Sequence, residues 1–167
     1  MPIKNRIASF ENEMISWRHH FHENPELAYN EFNTSKKVVE LLKEFGITEI
    51  EEGIGKTGVV ATLENGTGKT IGLRADMDAL PIFEENKNKK YKSKCDGKMH
   101  ACGHDGHTTM LLGAAKYLSE TKNFRGKVVL IFQPAEEGFA GAKAMIDDGL
   151  LERYPISEIY GMHNMPG

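Results

Sequence analysis

The stretch "GKVVLIFQPAEEG" (residues 126–138) decides how the rest is read. Its run from Val128 to Phe132 is apolar and stops at Pro134. It is too short for an ordinary helix, so it reads as a buried strand whose far end carries two adjacent carboxylates, Glu136 and Glu137. Just before it, "HDGHTTMLLGAAKYLSE" (104–120) has helical spacing, with Met110, Leu111, Ala114, Ala115 and Leu118 expected inward. A small-residue helix over 139–151 and a strand in "ISEIYGMH" (156–163) continue the alternation. The pattern predicts an α/β fold with a mixed, partly parallel sheet joined by crossover helices.

Upstream, "GVVATLENGTGKTIGLRADMDALP" (58–81) reads as two β-rich runs around "NGTG", a turn signal for a hairpin that would bring Asp76 and Asp78 to a strand end. Residues 3–21 place Ile3, Ile7, Phe10, Met14, Trp17 and Phe21 on one helical stripe, closed by Pro25. A second helix is expected over 33–45, with Asn33, Thr34 or Ser35 as caps and Gly46 at its stop.

In such folds, sites form beyond the carboxyl ends of the strands. Asp76, Asp78, Glu136, Glu137 and His163 all fall there, together with the loop "KMHACGHDGHTT" (98–109). Cys102 and His104 stand one residue apart, so an extended loop turns both to one side; thiolate and imidazole suit Zn²⁺, Mn²⁺, Co²⁺ or Ni²⁺ better than Mg²⁺ or Ca²⁺. The plainer reading is a buried structural cysteine beside a helix-capping histidine. His100 and His107 read as supporting or structural. Asp105 either orients a ligand imidazole or sits where the helix dipole favours an anion. Glu136 and Glu137 divide between metal binding and proton transfer, or are two solvent-facing glutamates on a turn. His19, His20 and His22 read as surface and packing residues with no ligand role. Jointly, Cys, His, Glu and His with a spare carboxylate are the kit of a metal-assisted hydrolase.

Composition bounds the alternatives. The 167 residues suit one domain with a core of its own, 40% hydrophobic and 27% charged, with a formal net charge of -3. No basic surface for nucleic acid is encoded, since "NKNKKYKSK" (86–94) reads as a solvated loop. No stretch is apolar enough for a signal-peptide core or a membrane span, so a cytosolic protein is expected, with Cys95 and Cys102 as thiols.

"RHHFHENPEL", "IGKTGVVA", "GLRADMDALP", "MHACGHDGHTTMLLGAA", "FQPAEEGFAGAKAMIDDGL" and "GMHNMPG", in this order and spacing, resemble the catalytic domain of the aminoacylase and hippurate-hydrolase family of metal-dependent amidohydrolases, peptidase family M20. The resemblance spans essentially the whole chain. It implies a three-layer, zinc-peptidase-like domain acting on small N-acyl amino acids, with two divalent ions (Zn, Mn, Co or Ni). Cys102, His104, Glu137 and His163 would bind the metals, Glu136 would act as general base, and Asp78 would orient the site. Asp76 stands where more distant relatives carry a histidine ligand. The family pattern continues well beyond residue 167, with a lid domain that mediates dimerisation and a C-terminal return bearing one more histidine ligand. Residues 1–167 are therefore expected to be part of a catalytic domain, inactive alone, of a protein that is a homodimer or tetramer. Two rival readings are a non-catalytic metal-binding module and a redox protein, the latter lacking a Cys-x-x-Cys spacing.

Overall fold

The computed structural model describes residues 3–86 and 88–164, without the side chains of Ile3 and Lys4. Lys87 of the lysine-rich patch and Met165, Pro166 and Gly167 of the last motif lie outside the described residues, as does the Ile3 side chain of the first stripe.

The chain order is α1 (Ile3–Ala8), α2 (Glu11–Glu23), α3 (Phe32–Glu44), β1 (Ile50–Ile54), β2 (Gly58–Asn65), β3 (Thr70–Asp76), α4 (His104–Thr121), β4 (Gly126–Gln133), α5 (Gly141–Asp147), α6 (Leu150–Arg153) and β5 (Glu158–Gly161). The five strands form one mixed sheet in the order β1-β2-β4-β3-β5. β3 runs parallel to both β4 and β5, while β2 is antiparallel to β1 and β4.

β4 shows why three layers result. Side chains alternate across a strand, so Val128, Leu130 and Phe132 enter one core while Val129 and Ile131 enter another. The first core lies under α2, α3 and α4, with Trp17, Phe21, Val38, Leu42 and Leu112 among its members. The second lies under α5 and α6, around Met145 and Leu150. A strand buried on both faces has to read as an unbroken apolar run, which is what the sequence shows.

Several expectations need correction. β2 and β3 are not a hairpin: β4 lies between them and pairs with both. The turn chemistry of "NGTG" is real, with Gly66 at φ +68, but the turn spans a gap that a third strand fills. The first helix is two. Ser9 Oγ donates to the Arg6 carbonyl, a local bond that competes with helix propagation, and Phe10 is driven into the interior at the break. α3 is capped from outside, because Glu26 accepts the Asn33 and Thr34 backbone N–H groups. The expected caps at Asn33, Thr34 and Ser35 lie inside the helix instead. Met110 is exposed on α4, and Leu112 and Tyr117 are buried in its place. The 139–151 helix is also split, at Asp148–Gly149. β1 has no counterpart in the reading above. β5, the strand expected in "ISEIYGMH", is an exposed edge.

Candidate metal centre

The carboxyl ends of β3, β4 and β5 lie on the same edge of the sheet, because the three strands are parallel, with Asp76 beside Gln133 in register. Asp76 and Asp78 leave β3, Glu136 and Glu137 follow β4, and His163 follows β5. The fourth contributor is the start of α4. Gly103, at φ +89, turns the chain so that Cys102 stays in the loop and His104 becomes the first helical residue. A Cβ at Gly103 would meet Asn164 Oδ1 at 2.9 Å, a side-chain end that can move, so it is the positive φ that calls for glycine there.

Cys102, His104 and Glu137 each offer a ligand atom within 4.8 Å of the others. Cys102 Sγ lies 3.4 Å from His163 Nε2, which brings in the fourth expected residue. His104 is wholly buried; its Nδ1–H donates to Asp78 Oδ1 at 3.2 Å, while Nε2 has no hydrogen-bond partner among the described residues. Around that bare nitrogen, Glu136 Oε2, Glu137 Oε1 and Asp76 Oδ1 each stand 3.7 Å away. Glu137 Oε1 is buried and unpartnered as well. Buried polar atoms left without partners are rare, and two of them facing one point mark a place built for a further group. His163 Nδ1–H donates to the Asn164 carbonyl at 2.7 Å, which leaves the Nε2 lone pair directed at Cys102.

The surrounding groups are already occupied. Asp76 accepts from His107 Nδ1 at 2.6 Å and from Arg74 at 2.7 Å, so both its oxygens are engaged. His107 Nε2 lies 2.9 Å from Asn164 Oδ1. Asp76, His104, His107 and His163 also form a close group, but the carboxylate already paired with Arg74 and the doubly bonded His107 make it the poorer set of donors. Neither the role of Asn164 nor the Asp76–His107 pair was visible in the sequence. Asn164 directly follows His163, and that adjacency was the available signal.

Burial opposes charge on His104, but the carboxylates of Asp78, Asp76 and Glu137 outweigh it and hold the imidazole above its usual range. Burial would raise Asp78; its bond from His104 and the backbone N–H groups of Glu137 and Glu136 hold it below the usual carboxylate value instead. Burial, then the nearby Glu137 and Glu136 carboxylates, push the Cys102 thiol up to about 12. A bound cation reverses that logic, since a coordinating thiol is deprotonated.

Beside the centre lies a second polar cluster. His22, read as a surface or packing residue, is buried between two carboxylates: Nδ1 is 2.8 Å from Asp105 Oδ2 and Nε2 is 3.2 Å from Glu84 Oε1. Arg18 and Lys89 complete it. Asp105 thus serves His22 and makes no hydrogen bond to a candidate ligand imidazole. His19 stacks on Tyr91 with ring centroids 3.8 Å apart. His100 is buried with neither ring nitrogen bonded, and burial pushes it down to about 4, so it is neutral. Cys95 and Cys102 form no disulfide. Among the described residues, no helix is long and apolar enough to cross a membrane.

Residues 72–167 match the family described as peptidase family M20/M25/M40. A hippurate hydrolase of Campylobacter jejuni is 57% identical over 167 residues, covering 99% of this chain and 43% of its own. Thermostable carboxypeptidase 2 of Saccharolobus solfataricus is 49% identical over 166 residues, 96% of this chain and 41% of its own. A Bacillus subtilis protein solved as a dinuclear metal-binding peptidase of family M20 superposes with a TM-score of 0.88 at 44% identity, over 95% of this chain and 44% of that one. The chain spans less than half the length of each of these relatives.

Proposed function

This chain belongs to peptidase family M20/M25/M40, and from that premise we propose that the protein containing it hydrolyses the amide bond of N-acyl amino acids, releasing a carboxylate and a free amino acid. The observation that carries this is the convergence of Cys102, His104 and Glu137, with His163 against Cys102 and with His104 Nε2 and Glu137 Oε1 unpartnered among the described residues. The substrate class follows the hippurate hydrolase relative.

We assign those four residues to hold divalent ions, two in number as in the Bacillus neighbour. The residues fit such ions: sulfur, imidazole and carboxylate together suit Zn²⁺, Mn²⁺, Co²⁺ or Ni²⁺. When bound, they supply Lewis acidity that polarises the amide carbonyl and acidifies water. Asp78 fixes the His104 tautomer by accepting Nδ1–H, so that Nε2 presents its lone pair. Cys102 gives up its proton when it becomes a ligand, which makes its affinity fall with decreasing pH. Glu136 is partly exposed and 3.7 Å from His104 Nε2, a position open to both water and substrate. It takes the proton from the attacking water and returns it to the leaving amine nitrogen.

In this reading, residues 1–167 are part of a catalytic domain, and the rest of a cytosolic homodimer or tetramer supplies a lid and a further ligand. The exposed Ile159 and Tyr160 on β5 and Met162 just after it support it as surface that other parts of the protein cover. The test is hydrolysis of N-benzoylglycine and N-acetyl amino acids by the full-length protein and by residues 1–167, with Zn²⁺, Mn²⁺ or Co²⁺ added and metal counted by elemental analysis. Turnover is expected from the full-length protein alone. A metal-loaded full-length protein without turnover would favour the non-catalytic module. The 49% identical carboxypeptidase supports a second substrate class, and preference for peptides over N-acyl amino acids would select it.

A further inference from the structure

The turn carrying Glu136 and Glu137 has an uncommon backbone. Ala135 is wholly buried and sits at φ +52, in the left-handed region where a Cβ crowds the following carbonyl. An alanine stays there only where its surroundings over-determine it. Gly141 N–H donates to the Ala135 carbonyl at 3.0 Å, and a Cβ on Gly141 would fall 1.7 Å from the Pro134 oxygen. Glu137 N–H donates to Asp78 Oδ2 at 2.9 Å. The remaining restraint comes from far away in sequence: Ala135 N–H donates to Glu31 Oε1 at 2.8 Å.

Glu31 has no exposed surface and, among the described residues, no ion-pair partner. Its other oxygen accepts the Thr57 hydroxyl at 2.6 Å. A carboxyl group buried without a cation is costly, so it needs a reason to be there. We propose that Glu31 is a positioning residue for the Glu136–Glu137 pair: by holding Ala135 left-handed, it sets the direction in which the two carboxylates leave β4. This rests on the reading above in which Glu136 moves a proton and Glu137 binds metal.

The variants separate the tether from the charge. Gln at this position keeps the tether, because its amide oxygen can accept from Ala135 and its NH₂ can donate to Thr57 Oγ1; Ala removes it. In the full-length protein, amide hydrogen exchange at residues 135–137 reads the turn directly, independently of activity. Steady-state hydrolysis of N-benzoylglycine, per folded molecule, reads the consequence. Glu31→Ala is expected to speed exchange at Ala135 and to lower kcat by about 10- to 100-fold with little change in KM, as misplacement of a reacting group does. Glu31→Gln should stay close to wild type in both. Adding Ala135→Gly to Glu31→Ala should recover part of kcat, because glycine adopts positive φ without penalty.

Unchanged exchange at Ala135 in Glu31→Ala, or Glu31→Gln as defective as Glu31→Ala, overturns the proposal. If Glu31→Ala does not fold, Thr57→Val carries the test: it removes the second anchor of Glu31 and should raise Ala135 exchange, and wild-type exchange there overturns the tether. The two readings fail separately. A wild-type protein that cleaves no N-acyl amino acid, with Ala135 released in Glu31→Ala, removes the function and keeps the tether. Turnover with no effect of Glu31→Ala on kcat or exchange does the reverse.

Discussion

Two buried histidines, His22 and His104, sit in neighbouring carboxylate-rich surroundings and differ in one respect. His22 has both ring nitrogens bonded, to Asp105 and Glu84. His104 has one nitrogen bonded, to Asp78, and the other bare, with three carboxylate oxygens 3.7 Å off. Carboxylates on either side raise the pKa of both. The shift therefore does not tell structure from site, whereas a bare imidazole nitrogen facing a second unpartnered atom, Glu137 Oε1, does. An imidazole bonded at both nitrogens holds elements together: His22 joins α2 to the start of α4 and to the segment carrying Glu84. An open one leaves a position for something else to fill.

The sharpest way to break this contrast is removal of each imidazole in the full-length protein. His104→Ala should lose metal, read by elemental analysis, and with it all measurable turnover, while His22→Ala should retain metal. Equal metal loss in both would erase the distinction. Next in size, Glu136→Gln keeps shape and removes the proton acceptor, so turnover should fall by about 10² to 10⁴ with metal retained. Loss of metal there and not in Glu137→Gln would reverse the two carboxylates.

Asp78→Asn tests how far orientation matters at the open site. Disturbing a carboxylate behind a ligand histidine weakens metal binding by about 10- to 100-fold, to be read by competition with a chelator. On the closed side, His22→Ala removes the imidazole that Asp105 and Glu84 share while Arg18 and Lys89 still pair with them, so it should cost about 1 to 3 kcal/mol in denaturant unfolding.

The smallest effect is in the pH dependence. The Asp105 hydrogen bond leads in raising the His22 pKa, over the opposing effect of burial, with Glu84 adding to it. A group raised on folding stabilises fully below its unfolded value of 6.5 and loses that contribution as pH rises through the folded value. Wild type should therefore lose stability relative to His22→Gln as pH increases above 6.5. A flat difference across that range would show that His22 is not charged in its network.

Much of the site was legible because ligand chemistry is written in residue types. Only a few side chains bind such ions, and Cys102, His104, Glu137 and His163 stand at element boundaries that periodicity can place. Asp76 and Asp78 were placed at a strand end for the same reason, though the hairpin expected to deliver them does not exist. The polar network around His22 was not legible, because nothing local distinguishes it from its neighbours His19 and His20; its partners lie 62 and 83 residues away.

The sequence by itself determined most of the helices and strands and their α/β alternation, and put candidate metal donors at their ends, since apolar spacing and donor chemistry are properties of short segments; the three-layer class and the assignment of ligands came from the family resemblance. Tertiary structure alone decided the strand order, because register between distant strands depends on which faces can be buried together: β4 entered between β2 and β3 although "NGTG" had signalled a direct turn. It also decided which polar atoms were satisfied and which left bare. Hydrogen-bond accounting requires partners from the whole chain, as with Glu31, whose carboxylate caps a backbone N–H 104 residues away.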